Sequence, residues 1–256
     1  MAEMKRKAAL VTGAGKRIGR TIALDLAAHG WAVAVHCFHS RDDADAVVAE
    51  IEAGGGRAVT LRADLTRETE VARLVPAAAD ALGPLSLLVN NASVFERDEW
   101  DTVTRDSWDL HLEANLRAPF VLTQAFARQV GPQDEGLVVN ILDQRVWNLT
   151  PHFVSYTVAK SALWTLTRTL ALALAPRIRV NGIGPGPTLR NDRQSEEHFE
   201  AQWRSVPLGH GARPEEIAAA VRFLTEAPSV TGQMLALDGG EHLAWAQPGR
   251  GFVPTE

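Results

Sequence analysis

Short apolar runs alternate with stretches of helical periodicity along most of the chain. Each run is about five residues long, the usual length of a buried strand, and the stretches between the runs repeat apolar residues at helical spacing. Strands that are apolar on both faces are typical of a parallel sheet covered by helices on both sides. The pattern predicts seven strands: Ala8–Val11, Ala32–Phe38, Ala58–Arg62, Leu85–Val89, Leu137–Leu142, Ile178–Ile183 and Gln233–Leu237.

Nothing along the chain indicates a division into separate domains. No Ser- or Pro-rich linker and no shift in composition interrupts the 256 residues, and α/β folds of about 250 residues around one sheet are common. We therefore predict a single α/β domain over residues 1–256, built on a seven-stranded parallel sheet with helices on both faces.

Composition and charge argue against several classes of partner. The formal net charge is −5 and Lys and Arg form no stripe, so we do not expect a nucleic-acid partner. The single cysteine, Cys37, allows no intrachain disulfide and favours a reducing compartment. No window is apolar enough for a membrane span, and the apolar stretch near the N-terminus is shorter than a signal peptide requires. The expected location is the cytoplasm, and the histidine spacing predicts no metal site.

The loop after the first strand has the composition of a phosphate-binding turn. Residues 11–20 read Val-Thr-Gly-Ala-Gly-Lys-Arg-Ile-Gly-Arg, and glycines at this position let backbone N–H groups and the helix dipole face a pyrophosphate. Because Ile18 stands in the last position of the usual G-x-G-x-x-G pattern, a glycine-rich turn without a ligand is the alternative. We interpret the loop as part of a dinucleotide site.

The end of the second strand favours NADP over NAD. Folds that prefer NAD usually carry a carboxylate there for the ribose 2′-OH. This chain has His39, Ser40 and Arg41 instead, and no carboxylate before Asp42. Three potential donors suit a 2′-phosphate. The alternative is that His39 and Arg41 are solvated loop residues.

Tyr156 and Lys160 form a candidate catalytic pair. They are four residues apart on a predicted helix, so they lie one turn apart on the same face. A phenol has a pKa of about 10, and a nearby ammonium lowers that pKa toward neutrality. Because such pairs are common on protein surfaces, the context of the pair decides its meaning.

That context is a set of spaced motifs. Asn90-Asn91-Ala92-Ser93 follows the fourth strand, Asn115 lies on the next predicted helix, and Pro185-Gly186 follows the sixth strand. Together with Thr12-Gly13 and Asp64, these motifs make the chain resemble the short-chain dehydrogenases/reductases over nearly its whole length. The resemblance implies a Rossmann-type fold that transfers hydride from a nicotinamide.

The resemblance also implies a role for each matching residue. Tyr156 would donate a proton, Lys160 would hold the ribose and tune Tyr156, Asn115 would support a water in a proton relay, and Asp64 would approach the adenine. Homotetramers are common in the family, and the surplus apolar surface of the Tyr156 helix fits contact with another copy. The expected cofactor-binding residues are Gly13, Arg17, Ile18, Gly19, His39, Ser40, Arg41, Asp64, Leu65, Asn91, Ala92, Ser93, Lys160, Pro185 and Gly186.

Two departures from the family pattern narrow the resemblance to one branch of the family. Asp143 stands where most members have a serine, and Arg17 stands where the family usually has a middle glycine. With Phe95 after the fourth strand, these residues resemble the pteridine reductases, including bacterial dihydropterin reductases. A pterin is a flat bicycle that stacks on aromatic rings and forms hydrogen bonds around its edge. The expected substrate-binding residues are Arg17, Ser93, Phe95, Asp143 and Tyr156.

Three of these residues have simpler alternatives. Asp143 would pass a proton to Tyr156 or to a ring nitrogen, or it would cap the following turn. Arg17 would reach both phosphate and substrate, or phosphate alone. Phe95 would stack on the substrate, or it would pack on Trp100.

Residues 188–207 form a polar segment after Pro185-Gly186. In the resembled family the corresponding segment covers the substrate, so we predict a short mobile lid here. A charged, solvated helix is the alternative.

The leading hypothesis is an NADPH-dependent reductase of a dihydropterin or a related, dihydrofolate-like pteridine. The first alternative is a reductase of a ketone, 3-oxoacyl or sugar substrate that carries Asp143. The second is a nucleotide-binding sensor with little turnover, because a fold alone does not establish activity. The presence of Tyr156, Lys160 and Asn115 argues against the sensor.

Overall fold

Seven parallel strands form one sheet in the computed structural model, which describes residues 7–191 and 193–243. The strands are Ala8–Val11 (β1), Ala32–Cys37 (β2), Ala58–Arg62 (β3), Leu87–Asn90 (β4), Gly136–Ile141 (β5), Ile178–Pro185 (β6) and Met234–Leu237 (β7). Their order across the sheet is β3-β2-β1-β4-β5-β6-β7, which confirms the predicted fold class. The order reverses between β1 and β4, and open α/β sheets bind ligands at such a switch point.

Helices cover both faces of the sheet, as predicted. The α-helices are Arg17–Ala28 (α1), Arg41–Ala53 (α2), Glu68–Leu82 (α3), Arg105–Leu112 (α4), Ala118–Gln129 (α5), Val154–Leu174 (α6), Glu196–Ser205 (α7) and Pro214–Glu226 (α8). None of the helices in the described part of the chain is long and apolar enough to cross a membrane.

The strands are apolar on both sides because each side meets its own helical layer. Val11 of β1 joins a core with α1, α2 and α8, whereas the neighbouring Leu10 joins a second core with α3, α5 and α6. Both side chains are fully buried. Successive strand residues point to opposite faces, so the five-residue apolar runs are explained by two cores around one sheet.

The structure departs from the predicted elements at a few points. β4 begins at Leu87 rather than Leu85, and β6 continues to Pro185. Asn115 lies in a π-helix, Glu113–Arg117, that joins α4 to α5. Such segments are rare and are often found at functional sites. The predicted domain bounds include residues 1–6, 192 and 244–256, which lie outside the described residues.

Candidate active site

A cleft of about 1280 Å³ lies at the carboxyl ends of the strands, around the switch point of the sheet. Its walls come from the loops after all seven strands, from the start of α6 and from residues of α4 and α7. Arg41 and Asn115 are expected site residues that do not line it. The expected residues that do line it are Gly13, Arg17, Ile18, Gly19, His39, Ser40, Asp64, Leu65, Asn91, Ala92, Ser93, Phe95, Asp143, Tyr156, Lys160, Pro185 and Gly186.

The loop after β1 packs directly against the loop after β4. Gly13 has a φ of 63°, and a Cβ on it would lie 2.9 Å from the Cα of Ala92. A Cβ on Gly19 would overlap the carbonyl oxygen of Gly13. No side chain caps the N-terminus of α1, so the first N–H groups of this helix are available to an anion. This geometry fits a pyrophosphate.

His36 fixes the loop after β1 and was not predicted to belong to the site. Its Nδ1 accepts a hydrogen bond from Gly13 N at 3.1 Å, and its Nε2 donates to the Ala63 carbonyl at 3.1 Å. Burial lowers the pKa of His36 to about 4, so the ring is neutral and can accept from Gly13. A histidine at a strand position gives no sequence signal of this contact, because most such residues are ordinary core residues.

The three predicted hydrogen-bond donors near the end of β2 divide between the cleft and the surface. His39 and Ser40 line the cleft. Arg41 starts α2, and its Nε lies 3.0 Å from a carboxylate oxygen of Asp45, so the structure does not bring Arg41 into the cleft. Lys16, in the loop after β1, was not among the predicted site residues; it lines the cleft and forms an ion pair with Asp43 at 2.9 Å.

Tyr156 and Asp143 meet at the centre of the cleft. The Tyr156 hydroxyl donates a hydrogen bond to Asp143 Oδ2 at 2.9 Å. The other carboxylate oxygen accepts from Arg145 N at 2.8 Å and caps the 3₁₀-helix Gln144–Val146. Asp143 therefore contacts the phenol and also caps the following turn, so the two predicted readings are compatible.

The pKa of Tyr156 is shifted opposite to the prediction. Burial, and then the negative charge of Asp143, raise the pKa of Tyr156 well above its ordinary value. Lys160 Nζ donates to the Ile141 carbonyl at 2.8 Å and lies 5.7 Å from the centre of the Tyr156 ring. Burial also lowers the pKa of Lys160 to about 8. The prediction that Lys160 lowers the pKa of the phenol is therefore wrong in this geometry, since burial and the neighbouring carboxylate dominate.

Phe95 lies beside the phenol. Its ring stacks on Phe153 with 4.3 Å between centroids, and it meets the Tyr156 ring edge-on at 4.6 Å. Trp100, the alternative packing partner, is 82% exposed. Phe95 thus packs within the site rather than on Trp100.

Arg145 is a buried cation of the site that sequence reasoning missed. Only 7% of the residue is exposed, and its guanidinium lies over the Phe153 ring at 5.1 Å. Nε lies 3.9 Å from Asp143 Oδ1 and has no hydrogen-bond partner within the described residues. The positive charge of Arg145 lowers the pKa of Tyr156, but by less than burial and Asp143 raise it.

Glu241 is a second missed residue. It lines the cleft near Asp143 although the two are far apart in sequence. Burial, followed by the charges of Asp143 and Asp238, raises the pKa of Glu241 to about 7. Glu241 therefore adds a third carboxyl group to the lining of the cleft, besides those of Asp64 and Asp143, which were both predicted.

Arg17 connects the loop after β1 to the segment after β6. Its guanidinium donates to the carbonyl oxygens of Leu189 and Arg190 at 3.0 and 2.7 Å. Its φ is 53°, a conformation that glycine adopts without strain, which explains why a glycine is usual at this position. In this structure Arg17 contacts the 188–207 segment. Whether that segment is a mobile lid stays a prediction, and Asp192 within it lies outside the described residues.

Asn115 holds the loop after β4 in place through its side-chain amide. Its Oδ1 accepts from Val94 N and its Nδ2 donates to the Val94 carbonyl, both at 2.8 Å. The amide group therefore holds the backbone next to Phe95. The predicted contact of Asn115 with a relay water stays a prediction. Across residues 7–191 and 193–243, no group of three His, Cys, Asp or Glu side chains is placed to hold a metal ion.

Comparison with known proteins shows the family of the chain. A family model described as enoyl-(acyl carrier protein) reductase matches residues 13–242. A 3-oxoacyl-[acyl-carrier-protein] reductase of Synechocystis sp. is 34% identical over 244 residues, which cover 94% of this chain and 98% of the relative.

Two solved structures extend the comparison. The FolM alternative dihydrofolate reductase 1 from Brucella suis, in complex with NADP, is 48% identical with a TM-score of 0.92, and the match covers 96% of this chain and 99% of the other. A short chain dehydrogenase from Burkholderia cenocepacia in complex with NADP is 36% identical with a TM-score of 0.87, over 93% and 99% of the two chains. This protein accordingly belongs to the short-chain dehydrogenases/reductases and is an NADP-dependent oxidoreductase.

Proposed function

We propose that this protein reduces a pteridine of the dihydropterin or dihydrofolate class with NADPH. The observation that carries the proposal is the 2.9 Å hydrogen bond from the Tyr156 hydroxyl to Asp143 Oδ2, formed beside the ring of Phe95. The likeness to the FolM alternative dihydrofolate reductases of Brucella canis and Brucella suis, at 46% and 48% identity, supports it.

The cofactor would lie along the carboxyl edge of the sheet. The uncapped start of α1 would hold the pyrophosphate, with Gly13 and Gly19 allowing its close approach and Ile18 in the first turn of the same helix. NADPH supplies the hydride when bound. The other residues assigned to it are His39 and Ser40 at the 2′-phosphate, Asp64 and Leu65 at the adenine, Lys160 at the ribose, and Asn91, Ala92, Ser93, Pro185 and Gly186 along its length.

The chemistry needs a proton on the substrate nitrogen. Reduction of a C=N bond adds hydride to carbon and a proton to the adjacent nitrogen, and consumes one proton for each NADPH. Because burial and Asp143 keep the Tyr156 phenol protonated, Tyr156 can donate that proton. Asp143 would return a proton to Tyr156 or deliver one to the ring nitrogen. A serine at position 143 would only polarise a carbonyl oxygen.

Phe95 would provide the stacking surface for the bicycle. Its ring is half-buried and lies edge-on to Tyr156, so a flat substrate on it would have its reacting bond near the phenol. Ser93 lines the same part of the cleft. Arg17 would reach phosphate or substrate only by leaving the carbonyl groups of Leu189 and Arg190.

The proposal is tested by NADPH oxidation with a panel of substrates. The panel contains a 7,8-dihydropterin, dihydrofolate, a simple ketone and a 3-oxoacyl thioester. We expect kcat/KM for the dihydropterin to exceed that for either carbonyl compound by at least about a hundredfold, because buried polar groups reject a substrate that leaves them unpaired. Turnover of the carbonyl compounds without turnover of either pteridine would contradict the proposal.

A 3-oxoacyl substrate is the second candidate function. It is favoured by the 3-oxoacyl-[acyl-carrier-protein] reductases among the relatives. The same panel separates the two candidates. Binding of NADPH with no turnover of any compound in the panel would favour the sensor.

A further inference from the structure

A buried chain of polar groups lies behind Tyr156, outside the cleft. It consists of the backbone N–H of Glu96 and the side chains of His111, Ser155 and Asp98. His111 and Ser155 are fully buried and Asp98 is 3% exposed. None of these residues lines the cleft, so they have no contact with a substrate there.

The side-chain hydrogen bonds of this buried polar chain all point the same way, from Glu96 toward Asp98. Glu96 N donates to His111 Nε2 at 3.1 Å, which makes Nε2 the unprotonated nitrogen. Nδ1 therefore carries the hydrogen and donates to Ser155 Oγ at 2.7 Å. The Ser155 hydroxyl then donates to Asp98 Oδ2, and Ser155 N donates to Asp98 Oδ1 at 3.1 Å. Burial lowers the pKa of His111, which agrees with a neutral ring.

Two members of this chain of polar groups each adjoin a proposed substrate-binding residue. Glu96 follows Phe95, and Ser155 precedes Tyr156. The His111 ring lies edge-on to the Tyr156 ring at 6.0 Å. On the other side of Phe95, the loop is held through Val94 by Asn115. The loop after β4 is therefore tied on both sides of Phe95.

We propose that His111 is a positioning residue that sets the Phe95 ring relative to the Tyr156 phenol. The inference rests on the proposed function, in which Phe95 stacks on the substrate and Tyr156 donates a proton. A fully satisfied buried network holds its members in one geometry, whereas a partly satisfied one is costly and loses that geometry. A displacement of about 1 Å at a reacting group is enough to slow a reaction about a hundredfold.

The test removes one link of the chain at a time. Ser155→Ala removes the link between His111 and Asp98, and His111→Leu removes both bonds of the ring. His111→Gln retains an amide oxygen that can accept from Glu96 N and an amide N–H that can donate to Ser155. Thr123→Val is the matched control, because its buried hydroxyl bonds the Pro119 carbonyl in α5, away from the site.

We expect KM for the dihydropterin to rise and kcat to fall, each by about tenfold, in Ser155→Ala and His111→Leu, while the Kd for NADPH changes less than about twofold. His111→Gln should recover most of the loss. Thr123→Val should behave as the wild type. Equal changes in KM, kcat and the NADPH Kd, or no recovery in His111→Gln, would overturn the inference.

A second measurement is independent of turnover. Tyr156 is the only tyrosine in the chain, so labelling with fluorotyrosine gives one ¹⁹F resonance that reports on the ring beside Phe95. We expect this resonance to shift or broaden in Ser155→Ala and in His111→Leu but not in Thr123→Val. A wild-type protein that reduces no pteridine would refute the proposed function, whereas an unchanged resonance in both chain variants would refute the positioning role.

Discussion

Among single residues, Tyr156 shows most clearly how burial decides the chemistry of the site. From the sequence positions alone, the nearby ammonium of Lys160 would be expected to lower the pKa of the Tyr156 phenol. The structure places Asp143 in direct contact with the hydroxyl and keeps Lys160 Nζ on the Ile141 carbonyl. Loss of hydration and the adjacent negative charge both disfavour the phenolate. The phenol therefore stays protonated, which suits a reduction that consumes a proton.

The acidity of Tyr156 can be measured without interference, because the chain has one tyrosine. We expect no phenolate absorbance in the folded protein at pH 10, since burial and Asp143 raise the pKa of Tyr156 well above its ordinary value. Asp143→Asn should lower that pKa, because it removes the negative charge. Half-ionisation of the wild-type phenol at or below pH 10 would contradict this description of the site.

His36 gives a second pH dependence, in stability rather than activity. Its pKa is lowered from 6.5 to about 4 in the folded protein, so the unfolded chain binds the proton more readily. The wild type should keep its full stability above pH 6.5 and lose on the order of 3 kcal/mol as the pH falls through about 4. Urea unfolding of the wild type and of His36→Gln at pH 7 and pH 4.5 measures this loss. An equal loss in the two proteins would show that His36 does not cause it.

The site residues that could be predicted from the sequence are those marked by a short motif or a fixed spacing. The residues that were missed have partners far away in the sequence. Tyr156 and Lys160 are linked by helical spacing, and Asp143 by its distance from Tyr156. Arg145 and Glu241 acquire their surroundings only when the segments that follow β5 and β7 meet at the carboxyl ends of the strands. No periodicity in the sequence encodes that meeting.

Among the elements, the strands were predictable because two cores require apolar residues on both faces. The π-helix Glu113–Arg117 was not predictable, since apolar periodicity does not separate one wide turn from the α-helical turns around it. The loops of the site have no periodicity at all. Side-chain bonds hold them instead, as Asn115 holds Val94 and Arg17 holds Leu189.

Arg17 gives a prediction for the 188–207 segment. Arg17→Leu removes two hydrogen bonds to the carbonyl groups of Leu189 and Arg190. We expect amide exchange in this segment to accelerate by about tenfold, with no change in β1. Lys16→Met is the control, because Lys16 forms its ion pair with Asp43 instead. If both variants exchange at the wild-type rate, Arg17 does not restrain the segment.

For the whole molecule, the predicted association of copies through α6 stays a prediction. Leu172 on this helix is 84% exposed, although α6 also supplies buried residues to the core. We propose a homotetramer in which α6 faces another copy, since an isologous contact would cover the same helix on both partners.

Leu172→Glu tests this assembly. An isologous contact would bury the new carboxylate on both partners, so we expect the variant to have a lower mass than the wild type in light scattering after gel filtration. Trp100→Glu changes an 82% exposed side chain in the loop after β4 and should leave the mass unchanged. A wild-type protein that elutes as a monomer would contradict the homotetramer.

The proton relay through Asp143 is decided by comparing the wild type with Asp143→Ser in two assays, steady-state reduction of a 7,8-dihydropterin and direct binding of NADPH. The Tyr156 hydroxyl loses its carboxylate partner in the variant. We predict that kcat/KM for the dihydropterin falls by about a hundredfold or more while the Kd for NADPH changes less than about twofold. Losses of equal size in the two assays, or wild-type turnover in the variant, would contradict the relay.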